Sequence, residues 1–303
     1  LQRRRQRQMC IRDRIKPKDG NKTFCMAPWT HTYLSPQTER RMCCASREPA
    51  QSFKQYIDTG NDSKEYKPLT LKQHWNSDHM RSVRRRMMAG EELKECEVCD
   101  HKLLNTDVYR SYWNQLFKDR IDEAFEKTDD TGKTSMKTIS FDYRFNNLCN
   151  FKCRMCGDML SSSWEAESRK NKTWKKDESP WMASPLREQI KTFQDKQVVQ
   201  EFVDSIETKE IREIYWCGGE PLMWDMHWKA MERIIELGFA DQVYVRYNTN
   251  LSRTSFGKSN LFDLLGYFSD WQVCASMDGT GETAEYIRDC LLYTSDAADD
   301  VAS

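Results

Sequence analysis

Cys149, Cys153 and Cys156 follow directly on a run that reads as a strand, residues 138–145. Their C-x3-C-x2-C spacing offers three thiolates, whereas a [4Fe–4S] cubane usually takes four cysteine ligands. Three ligands at the mouth of a strand leave one iron open to a group that is not protein. A second strand candidate ends in Cys217-Gly218-Gly219-Glu220-Pro221. Glycines without side chains let a ligand come close to the backbone. Glu220 beside them could hold a cationic amine, and Pro221 stops the strand and fixes the exit of the chain. Two further strand candidates end in Asn248-Thr249-Asn250 and Ser276-Met277-Asp278-Gly279. Earlier in the chain stand Cys25, the pair Cys43-Cys44, and Cys96-x-x-Cys99.

The elements that must position these groups alternate. Strand patterns at 138–145, 211–217, 242–248 and 271–277 are separated or followed by helical stretches at 158–170, 188–206, 224–237 and 258–268. This alternation predicts a parallel sheet with helices outside. Four such units make part of a β/α barrel, whose functional groups gather where strands end and loops begin. The stretch 171–185 reads as an insertion loop. Ahead of residue 134 the pattern is different: cysteine-punctuated and polar. A helix is expected over 71–90, capped by Asn76 or Ser77 and ended by Gly90. Another is expected over 108–125, with Trp113, Leu116, Phe117, Ile121 and Phe125 on a core-facing side. The polar run 127–133 is the linker candidate.

The two chain ends belong to neither region. Residues 4–13, RRQRQMCIRD, and 290–299, CLLYTSDAAD, can be encoded by one nucleotide string and its frame-shifted reverse complement. Both look like translated adapter from a transposon-based sequencing library, so 1–14 and 290–303 are set aside as artefact. The division expected is then 15–133, a small cysteine-rich α+β domain, and 134–289, a β/α core cut short after about four units. The chain carries 47 basic and 47 acidic residues, and without the ends 41 against 43. Near-neutral charge gives no pull toward nucleic acid or anionic membrane. No run approaches the roughly 18 apolar residues of a membrane span. Ten cysteines remain of twelve. Their clustering without a signal peptide favours metal ligation in a reducing cytoplasm over disulfides.

The three-cysteine loop after a strand, with Gly-Gly-Glu-Pro after the next, resembles the radical S-adenosylmethionine (SAM) enzymes. The resemblance covers about 137–289 and implies a partial, TIM-like barrel. It implies that Cys149, Cys153 and Cys156 hold a [4Fe–4S] cluster whose open iron is chelated by the amino and carboxylate groups of SAM. Gly218, Gly219 and Glu220 would meet the SAM amino group, and Pro221 completes their motif. Ser276 is similar in place to the family's ribose contact, with Asn248 or Asn250 nearby. Arg288 resembles the arginine that meets the SAM carboxylate. Met155 stands where the family often has an aromatic residue near adenine. The implied reaction is one-electron reductive cleavage of SAM to methionine and a 5′-deoxyadenosyl radical, which abstracts a substrate hydrogen. A flavodoxin- or ferredoxin-like donor would supply the electron.

The first region is similar to the twitch, or half-SPASM, auxiliary-cluster domain, through Cys25-Met-Ala-Pro-Trp29, Cys43-Cys44, Trp75-Asn76-Ser77 and Cys96-x-x-Cys99. By that likeness Cys25, Cys43, Cys96 and Cys99 bind a second [4Fe–4S] cluster, with Cys44 as the alternative to Cys43 and zinc as the alternative metal. This domain precedes the barrel here instead of following it, and Thr38 stands where a glycine is usual. Enzymes with such clusters frequently modify peptides, so a peptide or small-molecule substrate is expected. The rival reading is a non-catalytic zinc or electron-carrying module on a degenerate barrel; a chain this short in its barrel could also be inert. Several residues read as structural. Cys217 and Cys274 look like ordinary buried strand residues, Lys and Arg at 81–86 like a solvated helix face, and the five histidines form no ligand spacing.

Overall fold

A computed structural model of the chain describes residues 21–47, 56–58, 64–102, 109–175 and 179–288. The adapter-like ends and part of the 171–185 stretch lie outside the described residues. The architecture is mixed α/β, built on a six-stranded and mostly parallel sheet. Its strands are β1 (His31–Leu34), β2 (Arg40–Arg41), β3 (Ser140–Tyr143), β4 (Glu213–Trp216), β5 (Tyr244–Thr249) and β6 (Asp270–Ala275), in the order β6-β5-β4-β3-β1-β2. The chain divides into two compact units between Thr138 and Ile139, with Tyr33–Glu39 and Gln55–Pro68 counting in the second. Sequence periodicity gave no warning of β1 and β2, which lengthen the sheet on the far side of β3.

In the first unit the helix expected over 71–90 is two helices, α1 (Leu71–Trp75) and α2 (Asp78–Met88). Asn76 breaks it. Its side-chain oxygen accepts from the Thr134 amide at 3.1 Å and from Arg84 at 3.0 Å, and its amide donates to the Thr134 carbonyl at 3.0 Å. A short polar side chain that bonds elsewhere gives the backbone an alternative to continuing the helix. Ser77 then caps α2 through the Met80 amide, and Gly90 leaves it at φ +78°, a left-handed exit that suits glycine. After α3 (Glu97–Lys102), the helix expected over 108–125 also splits, into α4 (Tyr109–Leu116) and α5 (Ile121–Glu126) around a tight turn at Lys118–Arg120. Its aromatic side is core: Trp113, Phe117 and Ile121 are buried, and Phe125 stacks on Phe24.

The basic stretch 81–86 is not wholly a solvated face. Arg84 is fully buried, donating to the carbonyls of Pro28 (2.8 Å) and Trp75 (2.7 Å) and lying over the Trp75 ring. It sits on the apolar side of α2 with Met80, Val83 and Met87, where its donors reach several carbonyl oxygens.

The second unit carries α6 (Ser162–Asn171), α7 (Ser184–Phe193), α8 (Val199–Glu207), α9 (Asp225–Glu236), α10 (Leu261–Leu265) and α11 (Gly281–Ile287). A single wide turn, Gln194–Val198, joins α7 to α8. Residues alternate across the sheet. On one side Phe141, Phe145, Trp216 and Tyr247 pack with Phe202 and His227 of the helices. The other side is polar: Ser140 bonds Glu213, Glu213 pairs with Arg246 at 2.8 Å, and Arg144 grips Asp142. Parallel sheets are ordinarily apolar on both faces, whereas on this side Ser140, Asp142 and Glu213 are buried polar groups. β6 is an edge strand, exposed along most of its length, and Cys274 is exposed on it, against the expectation of burial. No helix among the described residues is long and apolar enough to cross a membrane.

Candidate functional site

The loop after β3 folds back so that Cys149 and Cys156 pack against one apolar group with Phe151, Cys153 and Ala284. The start of α6 clamps it. Ser162 Oγ accepts from the Cys149 amide at 3.0 Å, Ser163 Oγ donates to the Cys149 carbonyl at 2.8 Å, and Ser161 Oγ donates to the Phe151 carbonyl at 2.7 Å. Trp164 Nε1 donates to the Cys153 carbonyl at 2.9 Å. None of these four residues was singled out in the sequence. The signal available was a serine run at a helix start, which usually means a cap and nothing more.

The diglycine turn docks on this loop. Gly218 and Gly219 have φ of +85° and +58°. A Cβ on Gly219 would lie 2.6 Å from the Leu148 carbonyl oxygen, and one on Gly218 2.7 Å from Arg144 side-chain carbons. The close approach that needs glycine is therefore the protein's own cysteine loop and Arg144, not only a ligand. Arg144 is held from below by both oxygens of Asp142 and lies over the Tyr33 ring at 4.9 Å. Cys217, buried as expected, donates its thiol to the same carboxylate at 3.3 Å.

Glu220 does not stand open to a cation. It is 1% exposed, and its carboxylate accepts from Thr249 Oγ1 (2.6 Å), the Asn250 amide (2.6 Å) and the Leu222 amide (3.1 Å). Burial raises its pKa while those three donors pull it back. The side chain pins the exit of β5 beside the cysteine loop, while Pro221 opens a short turn behind it. Asn250 consequently reaches Cys149 Sγ at 3.9 Å and Asn150 at 3.1 Å.

Arg288 approaches from the other side, its guanidinium 3.8 Å from Cys153 Sγ and ion-paired with Asp278. The end of α11 is fixed to the loop by the Arg154 amide, which donates to the Ile287 carbonyl at 2.9 Å, and by Arg154 stacked on Tyr286. Cys149, Cys153, Cys156, Gly218, Gly219, Glu220, Asn250 and Arg288 thus surround one place at the carboxyl ends of the parallel strands. Ser276 follows β6 with its amide on the Thr249 carbonyl. Asn248 is exposed on β5, and Met155 lies exposed within the loop.

Burial drives all three thiols upward in pKa. Cys149 is pushed to about 12, with Glu220 adding to the rise, while Arg288 partly offsets burial at Cys153 and Cys156. These sulfurs are therefore protonated near neutrality, and a metal must displace the protons.

In the first unit Cys25, Cys43, Cys96 and Cys99 line one cavity, together with Arg110 and Tyr109. Cys44 is half-buried beside Cys43. Asn21 shapes the approach to Cys25 by accepting from the Thr23 and Phe24 amides, and Asn114 fixes it by bonding the Met26 amide and Phe24 carbonyl. Cys96 ends a tight turn and Cys99 lies in α3. Burial raises Cys25 and Cys43, and raises Cys96 to about 12 despite a lowering influence from Arg110. Thr38 has φ +67°, the left-handed geometry that explains a glycine preference at such a turn. None of the ten described cysteines forms a disulfide.

The donor chemistry fits clusters at both places: three and four cysteine thiols, buried or half-buried, with one arginine against each set. Among the described residues no three His, Cys, Asp or Glu side chains converge as on a single metal ion. Comparison of the chain with protein-family models, curated proteins and solved structures finds no match.

Proposed function

We propose that this chain is a radical SAM enzyme: a partial TIM-like barrel with a [4Fe–4S] site at Cys149, Cys153 and Cys156, joined to a cysteine-rich domain with a second cluster at Cys25, Cys43, Cys96 and Cys99. The observation that carries the reading is the convergence at one end of a parallel sheet. Three thiols, the diglycine turn and Asn250 follow three neighbouring strands, and Arg288 comes from the end of α11, the helix after a fourth. A cluster bound there with SAM would supply one-electron reductive cleavage of the sulfonium. Cys149, Cys153 and Cys156 would hold three of its irons. The Gly218-Gly219 backbone, the Asn250 amide and Arg288 would orient the amino, carboxylate and ribose portions of SAM, while Phe151 and Ala284 keep water off the sulfurs.

The polar side of the sheet supports a hydrogen-bonding substrate. Arg246 and Tyr215 are partly exposed there, and Asn248 and Gln272 are exposed. Carboxamides donate and accept together, which is what a peptide backbone requires, so a peptide is the favoured substrate. The electron would come from a flavodoxin- or ferredoxin-like donor.

The test is anaerobic reconstitution followed by iron and sulfide analysis and an assay for 5′-deoxyadenosine. About eight irons with SAM cleavage supports the proposal. Bound zinc with no cleavage product refutes it and leaves a non-catalytic metal module.

A further inference from the structure

Arg110, on α4, is the single cation among the described residues lining the four-cysteine cavity. It is 5% exposed, so its charge must be met by the groups around it. One terminal nitrogen donates to Asp100 at 2.6 Å and the other to the Lys22 carbonyl at 2.9 Å. Its third nitrogen, Nε, is buried with no hydrogen-bond partner. A guanidinium fixed at both tips, with one N–H withheld from water beside thiols, has a donor left over for sulfur. The other charged group lining the cavity is Glu95, whose Oε2 is buried without a hydrogen-bond partner, 3.7 Å from Arg86. Asp100 answers part of the Arg110 charge but stands outside the lining.

Resting on the second-cluster reading above, we propose that Arg110 is the built-in counter-charge of that cluster, donating through Nε to a ligand sulfur and raising its reduction potential. Four thiolates on a cubane leave a net negative charge, and a buried charge is costly without a partner. Hydrogen bonds to the sulfurs and net charge are the levers that set cluster potential. The first site repeats the arrangement with different residues: Arg288 lies against Cys153 Sγ and is tied back by Asp278. Arg110 is a positioning and tuning residue; it takes no part in bond breaking.

The experiment uses the full chain, reconstituted anaerobically, with the Cys153→Ala background so that the second cluster alone is read. Potentiometric titration followed by EPR would compare Arg110 with Arg110→Lys and Arg110→Gln. Loss of the charge in Arg110→Gln should make reduction at least tenfold less favourable, a shift of about 59 mV downward for one electron, with Arg110→Lys between. Should Arg110→Gln fold poorly, Asp100→Asn, which frees the guanidinium from its anchor, must shift the potential upward. Equal potentials across the series, with iron retained, overturn the proposal while leaving the second-cluster reading intact. No iron in the parent protein overturns both.

Discussion

The amide of Glu220 donates to the carbonyl oxygen of Leu148 at 2.7 Å. That bond joins the diglycine turn to the cysteine loop one residue before Cys149. Two segments more than seventy residues apart in sequence thereby share one geometry, and a disturbance of either is felt by the other.

Gly219→Ala tests this coupling. The added methyl meets the Leu148 oxygen at 2.6 Å and forces a left-handed φ on alanine. A loss of about 1–3 kcal/mol in stability is expected, together with reduced iron at the first site. Urea unfolding and iron analysis in the Cys99→Ala background measure both; unchanged values would show that the turn and the loop are independent.

The two sites should separate by mutation. Cys153→Ala is expected to abolish SAM cleavage and remove about four irons, because two thiolates do not retain the cubane. Cys99→Ala should remove a similar number while leaving SAM cleavage partly intact. Retained 5′-deoxyadenosine formation by Cys153→Ala would refute the first-site assignment.

Arg84 links packing to the second site, because it holds the Pro28 carbonyl in the turn after Cys25. Burial lowers its pKa to about 9, and carbonyl oxygens with the Trp75 ring answer its charge. Arg84→Met should cost about 2–3 kcal/mol from the carbonyls left unpaired and lower iron at the first unit's cysteines. Thermal unfolding and iron counts of single-site backgrounds check this.

His227 gives the pH dependence. It is fully buried, bonded to the Tyr247 hydroxyl at 2.9 Å, and its pKa falls to about 3 because burial disfavours the cation. The folded state therefore binds fewer protons than the unfolded one, whose histidine titrates near 6.5. Its stability contribution is complete above pH 6.5 and is lost as pH falls toward 3, at up to about 1.4 kcal/mol per unit. His227→Gln should flatten the urea midpoint between pH 6 and 4; an unchanged slope would contradict the assignment.

The iron-free thiols titrate in the opposite sense. Cys149 and Cys96 have pKa raised to about 12, so their stability contribution is present below the unfolded value near 8.5 and is lost as pH rises toward 12. Alkylation of the iron-free protein by iodoacetamide at pH 8 should be slow, and iron loading should release protons. Fast alkylation of Cys149 at that pH would count against the burial seen here.

Much was legible in local pattern. The strand exits, the thiol spacings and the helices of the second half follow from alternation and periodicity, which depend only on near neighbours. What failed locally did so for nonlocal reasons. Asn76 breaks a helix because Thr134 and Arg84 claim its side chain, and Arg84 is buried because carbonyls at Pro28 and Trp75 need donors. Cys274 is exposed because β6 is an edge.

The sequence alone determined which atoms are available: three thiols after one strand, two glycines after the next, five thiols in the first part. Only the tertiary structure decided what each is set against. The glycines accommodate the Leu148 carbonyl and Arg144, Glu220 serves Thr249 and Asn250, and Arg110 stands among four sulfurs. Spacing fixes chemistry along the chain, but burial, charge compensation and close approach arise between segments distant in sequence, where no local pattern records them.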